Sequence, residues 1–344
     1  MSVSKAPQQQ PSLLWRTAST AVMATTGLIC RTFLYGLSSV EVHGLDKFLA
    51  LLDSRRDIEA RQRGLITGGL DDPLIWGVLP WRYTLDHRNL RWGLGAHDIC
   101  YKNSGQTLPT HRLNHSPLGG LFQPTIEQAV GVLSLPSSTP TTTTTTTKMS
   151  ATAMAPFFST NGVDRWPSPA SFACNRPGWV HIFPEGAVHQ QRDRGLRYFR
   201  WGIARLILES EPAPEVVPMF IDGPDRVMPE DREFPRFLPR VGQHIRVVFG
   251  DALGSDAFAE ERARWRKLVA AGGADAPSDS STESPAAALR REVAMRVRDE
   301  VLKLRRQLGY PDEDPALGLA ETWAREPHLK RYRSHIDDSL VNQE

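Results

Sequence analysis

The stretch Trp179-Val180-His181-Ile182-Phe183-Pro184-Glu185-Gly186-Ala187-Val188-His189-Gln190 decides the fold. Its apolar run, Trp179 to Phe183, lacks the polar alternation of a half-buried strand. So short and so apolar a run reads as a strand covered on both faces, the kind that parallel sheets use. Pro184 withdraws a backbone donor and stops it, and Glu185-Gly186 supplies the turn. Downstream, RGLRYFRWGIARLILES (194–210) carries helical spacing, and EVVPMFIDG (215–223) is a second buried strand. Strand, helix and strand in that order indicate a parallel crossover.

The alternation continues on both sides. Val40 to Arg61 reads as a helix, Gly64 to Thr67 as a strand, and Gly105 to Leu113 as another. Pro124 opens a helix at a position that tolerates its missing N–H. Gln243 to Leu253 is a fifth strand, and Ala286 to about Leu308 a charged amphipathic helix. The expected fold is α/β, with a mostly parallel central sheet flanked by helices.

With 344 residues, 40% of them hydrophobic, the chain can bury one substantial core and a small second lobe. A net charge of +2 argues against a protein built to hold nucleic acid. Cys30, Cys100 and Cys174 match no zinc or redox spacing, so neither a metal nor a cofactor is expected. Residues 1–40 contain Lys5, Arg16 and Arg31 but no acid, and are rich in Ser, Thr and Ala. That composition fits a targeting or membrane-surface segment. The apolar run Thr17 to Cys30 is too short to span a bilayer, which takes about 20 residues. A Thr/Ser/Pro tract from Ser134 to about Cys174 cannot bury a core and reads as a disordered insert, and Ala274 to Pro285 as a second flexible stretch. The expected organisation is an N-terminal segment (1–40), a main domain (41–260) and a flexible and helical C-terminal region (261–344).

In parallel sheets chemistry gathers beyond the carboxyl ends of strands. Asp71, Arg112, Glu185 and Asp222 all fall at or just past such an end. Arg112 offers a planar fork suited to phosphate, and Glu185 can accept hydrogen bonds from a polyol. Arginine for phosphate and carboxylates for hydroxyls suggest a phospholipid or glycerol-phosphate substrate.

Six segments sharpen this: DDPLIWGVLPWR, LRWGLGAHDICYKN, LPTHRLNHSPLGGLFQPT, WVHIFPEGAVHQ, LRYFRWGIARLILE and VVPMFIDG. In content and order they resemble the tafazzin family of the glycerolipid acyltransferase superfamily, from about Gly44 to Gly250 apart from the Thr-rich insert. The resemblance implies a glycerolipid-acyltransferase-like fold. It implies acyl transfer between phospholipids and lysophospholipids without coenzyme A, remodelling cardiolipin at mitochondrial membranes that face the intermembrane space. It further implies Asp71 as the catalytic aspartate, Asp72 and Arg112 at the substrate, and Phe183, Pro184, Glu185 and Gly186 around the glycerol-phosphate region. Pro218 falls in a fourth block.

The family's catalytic histidine precedes the aspartate by five positions, within Asn-His-x-Ser-x-x-Asp-Asp-Pro. Here that position is Ile66, and Gly68, Gly69 and Leu70 stand where the longer motif should run. Among the ten histidines none has an aspartate at the family's spacing, and His111 and His189 are the nearest substitutes by location. A second gap joins Ser104 directly to Gly105. Two short in-frame gaps suggest a splice variant or misplaced exon boundaries, and they predict that this chain is nearly inactive. The alternatives are a coenzyme-A-dependent lysophospholipid acyltransferase and a lipid-binding pseudoenzyme.

The resemblance also implies membrane contact through Leu196, Arg197, Tyr198, Phe199, Arg200, Trp201 and Ile203, read as a basic amphipathic helix on a bilayer surface. A helix packed on the sheet predicts the same stripe. The partners implied are phospholipids, lysophospholipids and a membrane surface, with no nucleic acid and no protein partner specified.

Overall fold

The computed structural model describes residues 12–68, 76–96, 108–110, 121–135, 157–158, 166–167, 175–191, 193–273, 284–326 and 332–342. Its strands in chain order are β1 Ser39–His43, β2 Leu65–Gly68, β3 Arg91–Ala96, β4 Leu108–Thr110, β5 Phe157–Phe158, β6 Trp166–Pro167, β7 Trp179–Ile182, β8 Val188–Gln190, β9 Glu215–Asp222, β10 His244–Phe249, β11 Tyr332–Arg333 and β12 Leu340–Asn342. The longer helices are α1 Leu13–Arg31, α2 Leu45–Ser54, α3 Pro124–Leu133, α4 Gly202–Glu209, α5 Ala259–Ala270 and α6 Pro285–Gln307.

Seven strands form one sheet in the order β1-β10-β9-β2-β7-β3-β4. Every adjacent pair is parallel except β10 against β9. This is the expected α/β fold with a mostly parallel sheet. β2 lies between β7 and β9, with Gly68 opposite Ile182 on one side and Pro218 on the other.

Alternation along the strands divides the core into two layers. Ile66, Val180, Ile182, Val216, Phe220 and Val248 point to one face, against side chains of α3, α4 and α6. Leu65, Trp179, Val217, Ile221, Val247 and Phe249 point to the other, where Phe48 and Leu52 of α2, Leu34 and Tyr83 cover them. A central strand covered twice has no polar face to show, which is why Trp179–Ile182 reads as one apolar run.

Several boundaries differ from expectation. Val40–Arg61 is not one helix: Ser39–His43 pairs with β10, Gly44 turns the chain at φ 70°, and only Leu45–Ser54 is helical. The helix expected over 194–210 exists only from Gly202 to Glu209, and 194–200 is irregular. Buried Leu289, Val293, Val297 and Val301 seat α6 in the main core, and β11 and β12 join β8 in a second sheet. Among the described residues no helix is long and apolar enough to cross a membrane.

Candidate active site

The carboxyl ends of β2, β7 and β9 share one edge of the sheet, and the expected site residues leave from there. β2 ends at Gly68; Asp71 and Asp72 lie outside the described residues, as does Arg112 beyond β4. Ile66 is inside β2, fully buried in the core between Val180 and Val216. The position five residues ahead of Asp71 therefore faces the hydrophobic core.

β7 delivers Phe183-Pro184-Glu185-Gly186. The turn closes through Gly186 N–H to Phe183 O at 3.1 Å, and Gly186 takes φ 64°, which glycine adopts without strain. Arg200 N–H donates to Pro184 O at 2.7 Å. Glu185 is buried, and one of its oxygens accepts the Arg197 N–H at 3.3 Å. Pro218 lies mid-strand in β9, where its carbonyl accepts the Gly250 N–H at 2.9 Å.

The stretch expected to contact a bilayer is what braces this turn. Leu196, Phe199 and Ile203 are buried in the core, so their apolar side chains are not presented to a membrane. The Arg197 guanidinium is buried, pairs with Glu326 at 2.6 Å and lies over the Trp323 ring at 4.1 Å. Arg298 donates to the Leu196 and Arg197 carbonyls and pairs with Glu313. The helical spacing was the signature of packing on the sheet. Of the seven residues, Tyr198, Arg200 and Trp201 keep partial exposure.

Asp222, at the end of β9, is not an available base. It is almost wholly buried and accepts hydrogen bonds from Arg194 (3.0 Å), Arg226 (3.3 Å) and Arg246 (2.7 Å). Burial raises its pKa, but Arg246 and Arg194 hydrogen bonds and the Arg226 charge outweigh it and bring the value down to about 2.

Under the edge lies a buried polar cluster that no motif announces. Thr67 Oγ1 meets His181 Nδ1 at 2.8 Å and accepts the Trp179 Nε1–H at 2.9 Å. Arg91, fully buried at the start of β3, has its guanidinium over the rings of Trp76 (5.0 Å) and Trp179 (5.4 Å). Burial lowers the Arg91 pKa to about 9. Burial, with the Arg91 charge second, also holds His181 well below the usual histidine range. His181 is thus a neutral structural histidine. His189 lies in β8, paired with Val341, and His111 is outside the described residues. The described residues contain no group of three or more His, Cys, Asp or Glu able to hold a metal.

Yeast (Saccharomyces cerevisiae) tafazzin is 32% identical over 93% of this chain and 85% of its own length. The chain belongs to the tafazzin family. A Dictyostelium discoideum taffazin is 28% identical over 69% of the chain and 70% of the relative. An Arabidopsis thaliana N-acylphosphatidylethanolamine synthase is 28% identical over 54% and 53%. Among solved structures, the Thermotoga maritima 1-acyl-sn-glycerophosphate acyltransferase PlsC aligns over 75% of the chain and 79% of its own, at 13% identity and a TM-score of 0.36. No family profile matches. Tafazzin-family membership fits the six ordered segments.

Proposed function

We propose that this chain derives from a coenzyme-A-independent acyltransferase that moves acyl groups between phospholipids and lysophospholipids, cardiolipin among them, at mitochondrial membranes. The observation that carries the reading is the identity to yeast tafazzin over nearly the whole chain. The locked Phe183–Gly186 turn beside the end of β2 is consistent with it.

In this scheme a histidine just past β2 takes the proton of the lysolipid hydroxyl as that oxygen attacks the acyl carbonyl. The histidine then returns the proton to the departing lysolipid oxygen, and Asp71 holds the imidazole in the right tautomer. Arg112 binds a lipid phosphate, Asp72 lies with it at the substrate, and Glu185 with Phe183, Pro184, Gly186 and Pro218 shapes the glycerol-phosphate region. This sequence has no histidine there, and a missing general base costs roughly 10²–10⁴-fold. The chain as written is therefore nearly inactive. The N-terminal helix, charge-free between Arg16 and Arg31 with Leu13, Leu14, Val22, Leu28 and Ile29 exposed, suits a membrane surface rather than a crossing.

Acyl transfer from phosphatidylcholine to lysocardiolipin, measured without coenzyme A, tests this. The written chain should give a trace rate, and a variant carrying Asn-His-x-Ser-x-x immediately ahead of Asp71 should gain at least 100-fold. Ordinary rates from the written chain, or no gain from the insertion, would refute the scheme. Transfer only from acyl-coenzyme A favours the second reading, a lysophospholipid acyltransferase on the same scaffold. Lipid binding without any transfer in either variant favours a pseudoenzyme.

A further inference from the structure

Residues 228–242 connect the carboxyl end of β9 to the start of β10, and so sit on the same edge as Gly68 and the 183–186 turn. The loop is firmly built. Arg232 donates to the carbonyls of Pro229 (2.7 Å) and Arg236, and Arg236 to that of Glu230. Gln190 donates to Met228 O at 2.9 Å and accepts the Glu230 N–H at 2.8 Å. Arg240 N–H donates to Val227 O, and Gly242 N–H to Leu37 O at 2.7 Å. Pro235 and Pro239 fix two further φ angles.

What this frame displays is apolar. Phe234 is 89% exposed, Phe237 73%, Val241 57% and Leu238 55%. The Gly242–Leu37 bond sets the loop beside the helical turn Thr32–Gly36 that follows α1, where Tyr35 and Leu37 are also exposed. Large apolar side chains held in water by an ordered loop mark an interaction surface. Three features favour a bilayer over a protein as the occupant. The patch borders the edge from which the candidate site residues emerge. It adjoins Tyr35 and Leu37, exposed just past the end of α1. Its sequence, Phe-Pro-Arg-Phe-Leu-Pro-Arg (234–240), interleaves apolar groups with guanidinium groups, a combination suited to an anionic lipid surface.

We propose that the 228–242 loop is a preformed prong whose Phe234, Phe237 and Leu238 enter the interfacial layer of a phospholipid bilayer and hold the site edge of the sheet against it. The proposal rests on the reading that the substrate is a phospholipid, drawn into the site from that bilayer.

A Phe234→Cys variant with Cys100 and Cys174 changed to serine, labelled with an environment-sensitive dye, tests this on the full chain. With phosphatidylcholine vesicles containing cardiolipin the emission should shift to the blue. The same dye at an Asp256→Cys site, past β10 on the opposite edge, should not respond. A label at 234 that stays water-like with bound vesicles overturns the proposal. The Phe234→Ser, Phe237→Ser, Leu238→Ser triple variant should lose roughly tenfold or more in vesicle partitioning at unchanged circular dichroism. Undiminished partitioning overturns the proposal, as does a dye response to a soluble mitochondrial protein fraction with none to vesicles. The readout is binding, so a chain without acyl transfer still answers it: a blue shift with no transfer in the insertion variant removes the enzymatic reading and leaves the prong.

Discussion

Thr67 Oγ1 and His181 Nδ1 lie 2.8 Å apart, on residues that are register partners in β2 and β7. The bond ties together the two strands whose ends carry the candidate site. His181 is fully buried and neutral, its pKa depressed by burial and by Arg91. The unfolded chain binds a proton here near pH 6.5 and the folded chain only far below that. Stability is thus intact above pH 6.5 and falls as the pH drops further, by up to about 1.4 kcal/mol per pH unit. The melting temperature should decline between pH 6.5 and 5, and His181→Gln should flatten that decline. A slope unchanged by the substitution would count against the assignment.

Ile66→His should not restore activity. The side chain would enter the core between Val180 and Val216, at a cost of roughly 2–4 kcal/mol. Denaturant unfolding should show the loss and lysolipid acylation no gain. A histidine supplied after Gly68 should behave oppositely.

Glu326→Gln should loosen the turn from a distance. It removes the charge that Arg197 meets while buried, and Arg197 N–H is what Glu185 accepts. Leaving a buried guanidinium without its carboxylate costs on the order of 3 kcal/mol. Hydrogen exchange should speed up at 183–200 more than in β9. Uniform acceleration would indicate a merely global effect.

Gly77→Ala should unseat α1. A Cβ at Gly77 would stand 2.6 Å from the Cys30 carbonyl carbon and 2.8 Å from Arg31 N, both backbone atoms that cannot turn aside. The expected cost is about 1–3 kcal/mol. Protease cleavage within 13–31 should quicken while β2 and β7 remain protected.

The centre of the sheet was legible because β2, β7 and β9 are apolar on both faces and end at Gly68, Pro184 and Gly223, breakers that sequence displays, whereas the interior strand Arg91–Ala96 went unread, its run interrupted by Gly93 and Gly95. The edge strand Ser39–His43 was hidden by its half-exposed alternation, Ser-Val-Glu-Val-His, which blended into a helical neighbour. Leu196, Phe199 and Ile203 carry the period of an amphipathic helix, but a period reports that one side is covered, not by what. The arginines that brace the sheet and the 183–200 segment were illegible for a different reason. Arg91, Arg197 and Arg298 are buried on partners far away in sequence, and an isolated arginine gives no sign that its charge will be withdrawn from water.

The pairing of β8 with β12 has a consequence for synthesis. A ribosome adding about 5–20 residues each second makes Leu340 roughly eight to thirty seconds after Gln190. During that interval the main sheet can assemble, while the segment after Gly186 waits for its partner strand and for Glu326. A nascent chain would then have its main sheet formed and its 183–186 turn still without the Arg197–Glu326 pair. Maturation of the site is in this sense timed by the tail, and a translation pause late in the message would lengthen the period in which the turn is open.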